Sequence, residues 1–296
     1  MKTPESGMRE PREFKLNIND TQLSVLEWPG ESDPVLLLHA TGFHSRCWTQ
    51  VVKDLPKQHV YALDLRFHGA SGGDGAIDWA LMSSDVQTLI ERLDLHHLVG
   101  VGHSIGGHLI ARVAGQMGAR FKHLLLIDPV ILSRQRYDSL RRAGEHPDPH
   151  EHPVSRRKNR WRDAEHMYRR FSGKPPFNTW QPEVLRDYCD YALRPAADAD
   201  YRQLACDPVH EASIYLNQSG NEIVHELLPL IHAPVTLLRS PPGKQGHTDL
   251  STSPTWPGLA SALPHCREIY LADCNHFIPM QDPALVARYI REAQGA

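Results

Sequence analysis

Gly102-His103-Ser104-Ile105-Gly106, followed by Gly107, sets one serine among glycines where an apolar run gives way to a stretch of small residues. Glycines there allow a sharp strand-to-helix turn without Cβ clashes. Such a turn lifts the hydroxyl above a sheet and sets it at a helix N-terminus, where negative charge is favoured. The chemistry open to this serine is nucleophilic attack on an acyl carbon. A serine hydroxyl is nearly inert at neutral pH, so a base must lie within hydrogen-bond reach and an acid must orient that base. The chain has 19 histidines. His276 stands in a loop between the last apolar run and the last amphipathic stretch. His146, His150 and His152 are spaced like a metal cluster, but Pro147, Pro149 and Pro153 interleave them and no cysteine is near. A surface loop fits them better, and no metal is expected.

The elements that must hold these residues follow from the apolar pattern. Segments 13–18 and 22–28 alternate and are parted by Asn19-Asp20, a hairpin start. Short continuous apolar runs at 34–39, 59–65, 97–101, 122–127, 234–238 and 268–271 predict strands, most of them covered on both faces. Helical spacing is found at 48–55, 79–93, 105–117, 256–263 and 283–293. Strand and helix alternate, which predicts an α/β fold: a doubly wound, mostly parallel sheet with helices on both faces. The rhythm breaks between 131 and 230, where amphipathic stretches at 163–171 and 182–193 predict an inserted helical cap on a core built from 1–130 and 231–296. Residues 131–175 carry 12 Lys/Arg against 6 Asp/Glu, and residues 176–230 carry 3 against 9. The two halves should pair with each other.

The chain resembles the α/β-hydrolase superfamily, in its capped serine-hydrolase branch. The resemblance rests on His39-Ala40-Thr41-Gly42-Phe43 after the third strand, on Asp64 to Ser71 after the fourth, on the turn at Ser104, and on Asn275-His276-Phe277 after the last. It implies Ser104 as nucleophile and His276 as base. It leaves two positions for the acid. Asp128 ends the sixth strand, where the dehalogenase branch keeps its acid, and a rigid strand end holds geometry well. Asp249 lies in the long loop after the seventh strand, where most of the superfamily has it. The oxyanion donors implied are the N–H groups of Thr41 and Ile105. Ala40 and Phe67 stand where the family has glycine, and neither departure removes a catalytic side chain. Phe43, His103, Trp161 and Phe177 are candidates to line the acyl pocket. His103 and His39 flank the site and also suit packing or hydrogen bonding.

Composition excludes several other classes. Lys plus Arg is 32 and Asp plus Glu is 35, a formal net charge of -3. No overall basic field exists to hold nucleic acid or anionic lipid. Five scattered cysteines without a C-x-x-C fit a reducing compartment better than a disulfide framework. No leader-like apolar stretch opens the sequence and no run is long enough to span a membrane, so a cytoplasmic protein is expected. The reading is a hydrolase of carboxylic esters, lactones or thioesters acting on a small molecule with an acyl group, without cofactor. A C–C bond hydrolase, an acyltransferase, or a receptor that binds without turnover would use the same residues.

Overall fold

The computed structural model describes residues 9–73, 75, 77–143, 148–198, 200–243 and 251–295. Its centre is an eight-stranded sheet, entered by the hairpin β1 (Arg12–Ile18) and β2 (Thr21–Trp28). Then come β3 (Pro34–Leu38), α1 (Thr49–Lys53), β4 (His59–Leu63), α2 (Trp79–Arg92), β5 (Leu98–His103), α3 (Ile105–Gln116) and β6 (Phe121–Ile127). After β6 the chain leaves the sheet through α4 (Arg134–Ala143), β7 (Arg160–Trp161), α5 (Ala164–Phe171), α6 (Pro182–Tyr191), β8 (Leu193–Pro195), β9 (Arg202–Leu204), α7 (Pro208–Leu216) and α8 (Val224–Leu227). It returns as β10 (Val235–Arg239) and β11 (Cys266–Tyr270) and finishes with α9 (Ile278–Gln281) and α10 (Pro283–Gln294).

The strand order is β1-β2-β4-β3-β5-β6-β10-β11, antiparallel as far as the β2–β4 pair and parallel from β4 to β11. Leu36, Leu38, Leu124 and Leu126 meet α2 and α3 on one face, while Leu37, Val99, Val101 and Ile127 meet α1 and α10 on the other. These continuous apolar runs are what a sheet covered on both faces demands. A third apolar cluster joins Phe43 and Phe277, from the loops after β3 and β11, to Trp161, Trp180 and Tyr188 of the segment between β6 and β10.

Two expectations need correction. The segment expected to be helical also holds a small antiparallel sheet, β7-β9-β8. The helix expected at 256–263 is reduced to a single 3-10 turn, Ala260–Ala262. Pro257 and Gly258 lie inside that window and disfavour helix. The opposed charges do pair across the two halves of the segment: Arg157 with Glu211, Arg160 with Asp198, and Arg141 with Glu222.

Candidate active site

Ser104 joins β5 to α3 at φ 58° and ψ −118°. This is the left-handed side of the map, which costs a non-glycine residue roughly 1–3 kcal/mol. Four backbone bonds hold it there. Its N–H donates to Ile127 O at 3.0 Å, and its carbonyl accepts from Gly107, His108 and Val130 at 3.1, 3.2 and 3.0 Å. The flanking glycines are needed for close approach: a Cβ on Gly102 would lie 2.2 Å from Gly106 O, and one on Gly106 would lie 2.3 Å from Leu38 O.

His276 reaches Ser104 from the loop after β11. Ser104 Oγ–H donates to His276 Nε2 at 3.0 Å, and His276 Nδ1–H donates to Asp128 Oδ2 at 2.8 Å. Asp128 is fully buried at the end of β6. Its Oδ2 also accepts from Ser240 Oγ–H at 2.8 Å, and its Oδ1 from Ser253 Oγ–H at 2.5 Å. Burial pushes the carboxyl up, but the bonds from His276, Ser253 and Ser240 outweigh it and hold Asp128 below the usual carboxylate range. An ionised carboxylate accepts only, which fixes the proton on Nδ1 and leaves Nε2 as the acceptor facing Ser104. Asp249 and His146 lie outside the described residues.

His103 does not line the cavity. It is fully buried behind the His276 imidazole, and its Nε2–H donates to the His276 carbonyl at 2.8 Å. Burial pushes His103 down to about 3, so it is a neutral strut. The His276 N–H is tied in turn to Ser251 O at 2.7 Å.

Thr41 lies on the cavity wall and Ile105 opens α3. Among the described residues, neither backbone N–H has a protein acceptor. The Ala40–Thr41 peptide is fixed by its carbonyl, which accepts from His39 Nδ1–H at 2.8 Å and from Phe43 N–H at 3.1 Å. The following amide, Gly42 N–H, donates to His68 Nε2 at 3.0 Å. Burial pushes both His39 and His68 down to about 3. Each is therefore neutral, with one nitrogen donating and the other accepting. His39 Nε2 accepts from Leu65 N–H at 3.0 Å, and His68 Nδ1–H donates to Arg66 O at 2.8 Å. This pair is what sequence reasoning missed at His68. The available signal was a histidine in the loop after each of two neighbouring strands.

A cavity of about 570 Å³ opens over Ser104 and His276. Phe43, Trp161 and Phe177 line it, with Phe171 and Tyr215 beside them. Phe171 and Phe177 stack at 4.2 Å. Among the described residues, four basic ones also line it, Arg157, Lys158, Arg170 and Lys174, against one carboxylate, Glu211. Arg157 bonds Glu211 and, at 3.2 Å, the Tyr188 hydroxyl.

The chain is 25% identical over 276 residues to Lipase LipV of Mycobacterium tuberculosis (strain ATCC 25618 / H37Rv), an alignment that covers 90% of this chain and 95% of that protein. The crystal structure of E-2-(acetamidomethylene)succinate hydrolase superposes with a TM-score of 0.73 at 17% identity, covering 97% of this chain and 100% of the other. The thioesterase domain from the curacin biosynthetic pathway does so with a TM-score of 0.72 at 19% identity, covering 95% and 99%. The sequence profile of the alpha/beta hydrolase family matches residues 35–289, most of the sheet and all of the elements that carry Ser104, Asp128 and His276. The chain belongs to the alpha/beta hydrolase family.

Proposed function

We propose that the chain is a serine hydrolase that cleaves a carboxylic ester, lactone or thioester through an acyl-enzyme on Ser104. The observation that carries this reading is the unbroken hydrogen-bond line from Ser104 Oγ through His276 to Asp128. His276 Nε2 takes the Ser104 proton as Oγ bonds the acyl carbon, and the carbonyl electron pair moves onto oxygen. The Thr41 and Ile105 N–H groups are the donors for that oxyanion, each such donor being worth about 3 kcal/mol in the transition state. The intermediate collapses, the leaving group departs with the proton from His276, and the acyl group stays on Oγ. A water then gives a proton to His276 and attacks the acyl carbon, and the C–Oγ bond breaks as the proton returns to Ser104. Asp128 is assigned as the orienting acid because the single Nδ1 hydrogen of His276 is already given to it.

The names of the relatives, a lipase and a thioesterase domain, support ester or thioester cleavage. Residues 131–230 are read as a cap over the 1–130 and 231–296 core, because side chains of this segment, among them Trp161, Phe177 and Tyr215, line the cavity that also holds Ser104. Five free cysteines support a reducing, cytoplasmic setting. Among the described residues no helix is long and apolar enough to cross a membrane.

The test is hydrolysis of p-nitrophenyl esters from acetate to decanoate by the wild type and by Ser104→Ala. Turnover that depends on Ser104 and peaks at one chain length is expected. No Ser104-dependent turnover at any length would overturn the ester reading in favour of C–C hydrolysis, acyl transfer or ligand binding alone.

A further inference from the structure

The cavity lining combines a buried reacting centre with exposed positive charge. Of the residues lining the cavity, Ser104 and His276 are buried, whereas Lys158, Arg170 and Lys174 are exposed. Val154, Trp161, Phe171, Phe177 and Tyr215 also line it, a mainly apolar wall. Arg157 is spoken for by Glu211, the only carboxylate on the lining among the described residues. Lys158, Arg170 and Lys174 have no carboxylate partner among the described residues; Lys158 sits over the Trp161 ring at 4.6 Å. Arg170 also falls in the last turn of α5, where a cation complements the helix dipole. That accounts for a positive charge at this position, but not for three exposed cations without a carboxylate partner on the lining of one cavity.

We propose that the cavity selects acyl substrates bearing an anionic group remote from the scissile carbonyl, held by Lys158, Arg170 and Lys174 while the apolar span lies along the aromatic wall. The inference rests on the hydrolase reading above for where the carbonyl sits. The anion can come from the far end of the acyl chain, as a carboxylate, or from the leaving arm, as a phosphate. A diacid monoester places an apolar stretch between reacting centre and charge, and a cavity of this size is typical for one molecule of that kind; a phosphate-bearing leaving arm spans the gap with a longer, amide-bearing chain instead.

Calorimetry on Ser104→Ala tests it without turnover. Monomethyl octanedioate is compared with dimethyl octanedioate for the acyl-chain source, and octanoyl-CoA with octanoyl-N-acetylcysteamine for the leaving-arm source. The anionic member of at least one pair should bind about tenfold tighter, the combined worth of a few partly exposed charge contacts. Adding Lys158→Gln, Arg170→Gln and Lys174→Gln should bring that ratio to within about twofold of unity, and added salt should shrink it. A charge-matched control, Arg136→Gln, Arg156→Gln and Arg162→Gln, lies off the cavity and should keep the ratio. Which pair responds names the source of the anion. Equal or undetectable binding within both pairs, or a preference that survives the triple substitution, overturns the proposal. The hydrolase reading falls separately, if the ester series shows no Ser104-dependent turnover.

Discussion

Ser104 holds a backbone conformation that only glycine adopts without strain. Neither alanine nor serine relieves it, so Ser104→Gly should be more stable than Ser104→Ala by about 1 kcal/mol, read from urea midpoints. Equal stabilities would mean that the strain only offsets the extra entropy glycine gives the unfolded chain. The Asp128 carboxylate fixes the imidazole tautomer, and Asp128→Asn should lower kcat by roughly three to four orders of magnitude while the fold persists. Near-native turnover in that variant, with the loss appearing in Asp249→Asn instead, would move the acid. His39 acts one step further away, on the carbonyl of the peptide whose N–H belongs to Thr41. It is a positioning residue. His39→Leu should cut kcat by about tenfold to a hundredfold with KM nearly unchanged, since the misaimed donor meets only the oxyanion. A rise in KM with constant kcat would instead mean that the side chain shapes the ground-state pocket. These roles differ in how far the sequence reveals them. The glycine spacing around Ser104 and the strand-end position of Asp128 are visible in a linear chain. The His39 and His68 locks are not, because they depend on two loops that meet only when β3 and β4 pair in the sheet.

Elements were legible where they are long and periodic. The apolar strand runs and α2, α3 and α10 lie within a residue or two of their expected bounds, because a strand covered on both faces or a helix with one apolar stripe leaves an unmistakable pattern. The strands β7, β8 and β9 have two or three residues each, too few for alternation to register. Their pairing comes from the tertiary contacts of the segment they lie in. The same is true of its opposed charges, whose sequence imbalance announces pairing without saying which partners meet. Arg157 and Glu211 link the stretch before β7 to α7, and the Glu211 side chain is only 5% exposed. Glu211→Gln leaves Arg157 without its counter-charge and should destabilise the protein by about 3 kcal/mol. The double replacement Arg157→Met with Glu211→Leu should recover much of that loss, as a thermal melt would show. Failure of the double variant to recover would mean that the pair also organises the backbone around it.

For the whole molecule, buried histidines shape the response to acid, His44 and His225 among them, both pushed down by burial. His39, His68, His103 and His108 are each pushed down to about 3 by burial. Each stays neutral in the folded state and gains a proton on unfolding once the pH is below its ordinary 6.5. The unfolded chain then binds more protons, so stability is lost as pH falls from about 6.5 toward 3, by up to about 1.4 kcal/mol per pH unit for each histidine. Above that range these groups contribute no slope. The urea midpoint should drop sharply between pH 7 and pH 5, and a flat midpoint over that interval would mean that water or a charge reaches these rings. Sequence distance has a further consequence. Ser104 and His276 are 172 positions apart, and Asp128 and His276 are 148. A nascent chain whose last strand is still inside the ribosome can have the glycine turn, the buried carboxylate and most of the sheet, yet its serine has no base. Such a chain is chemically silent, and fluorophosphonate labelling during synthesis or refolding becomes a clock for the arrival of β11 and the loop behind it.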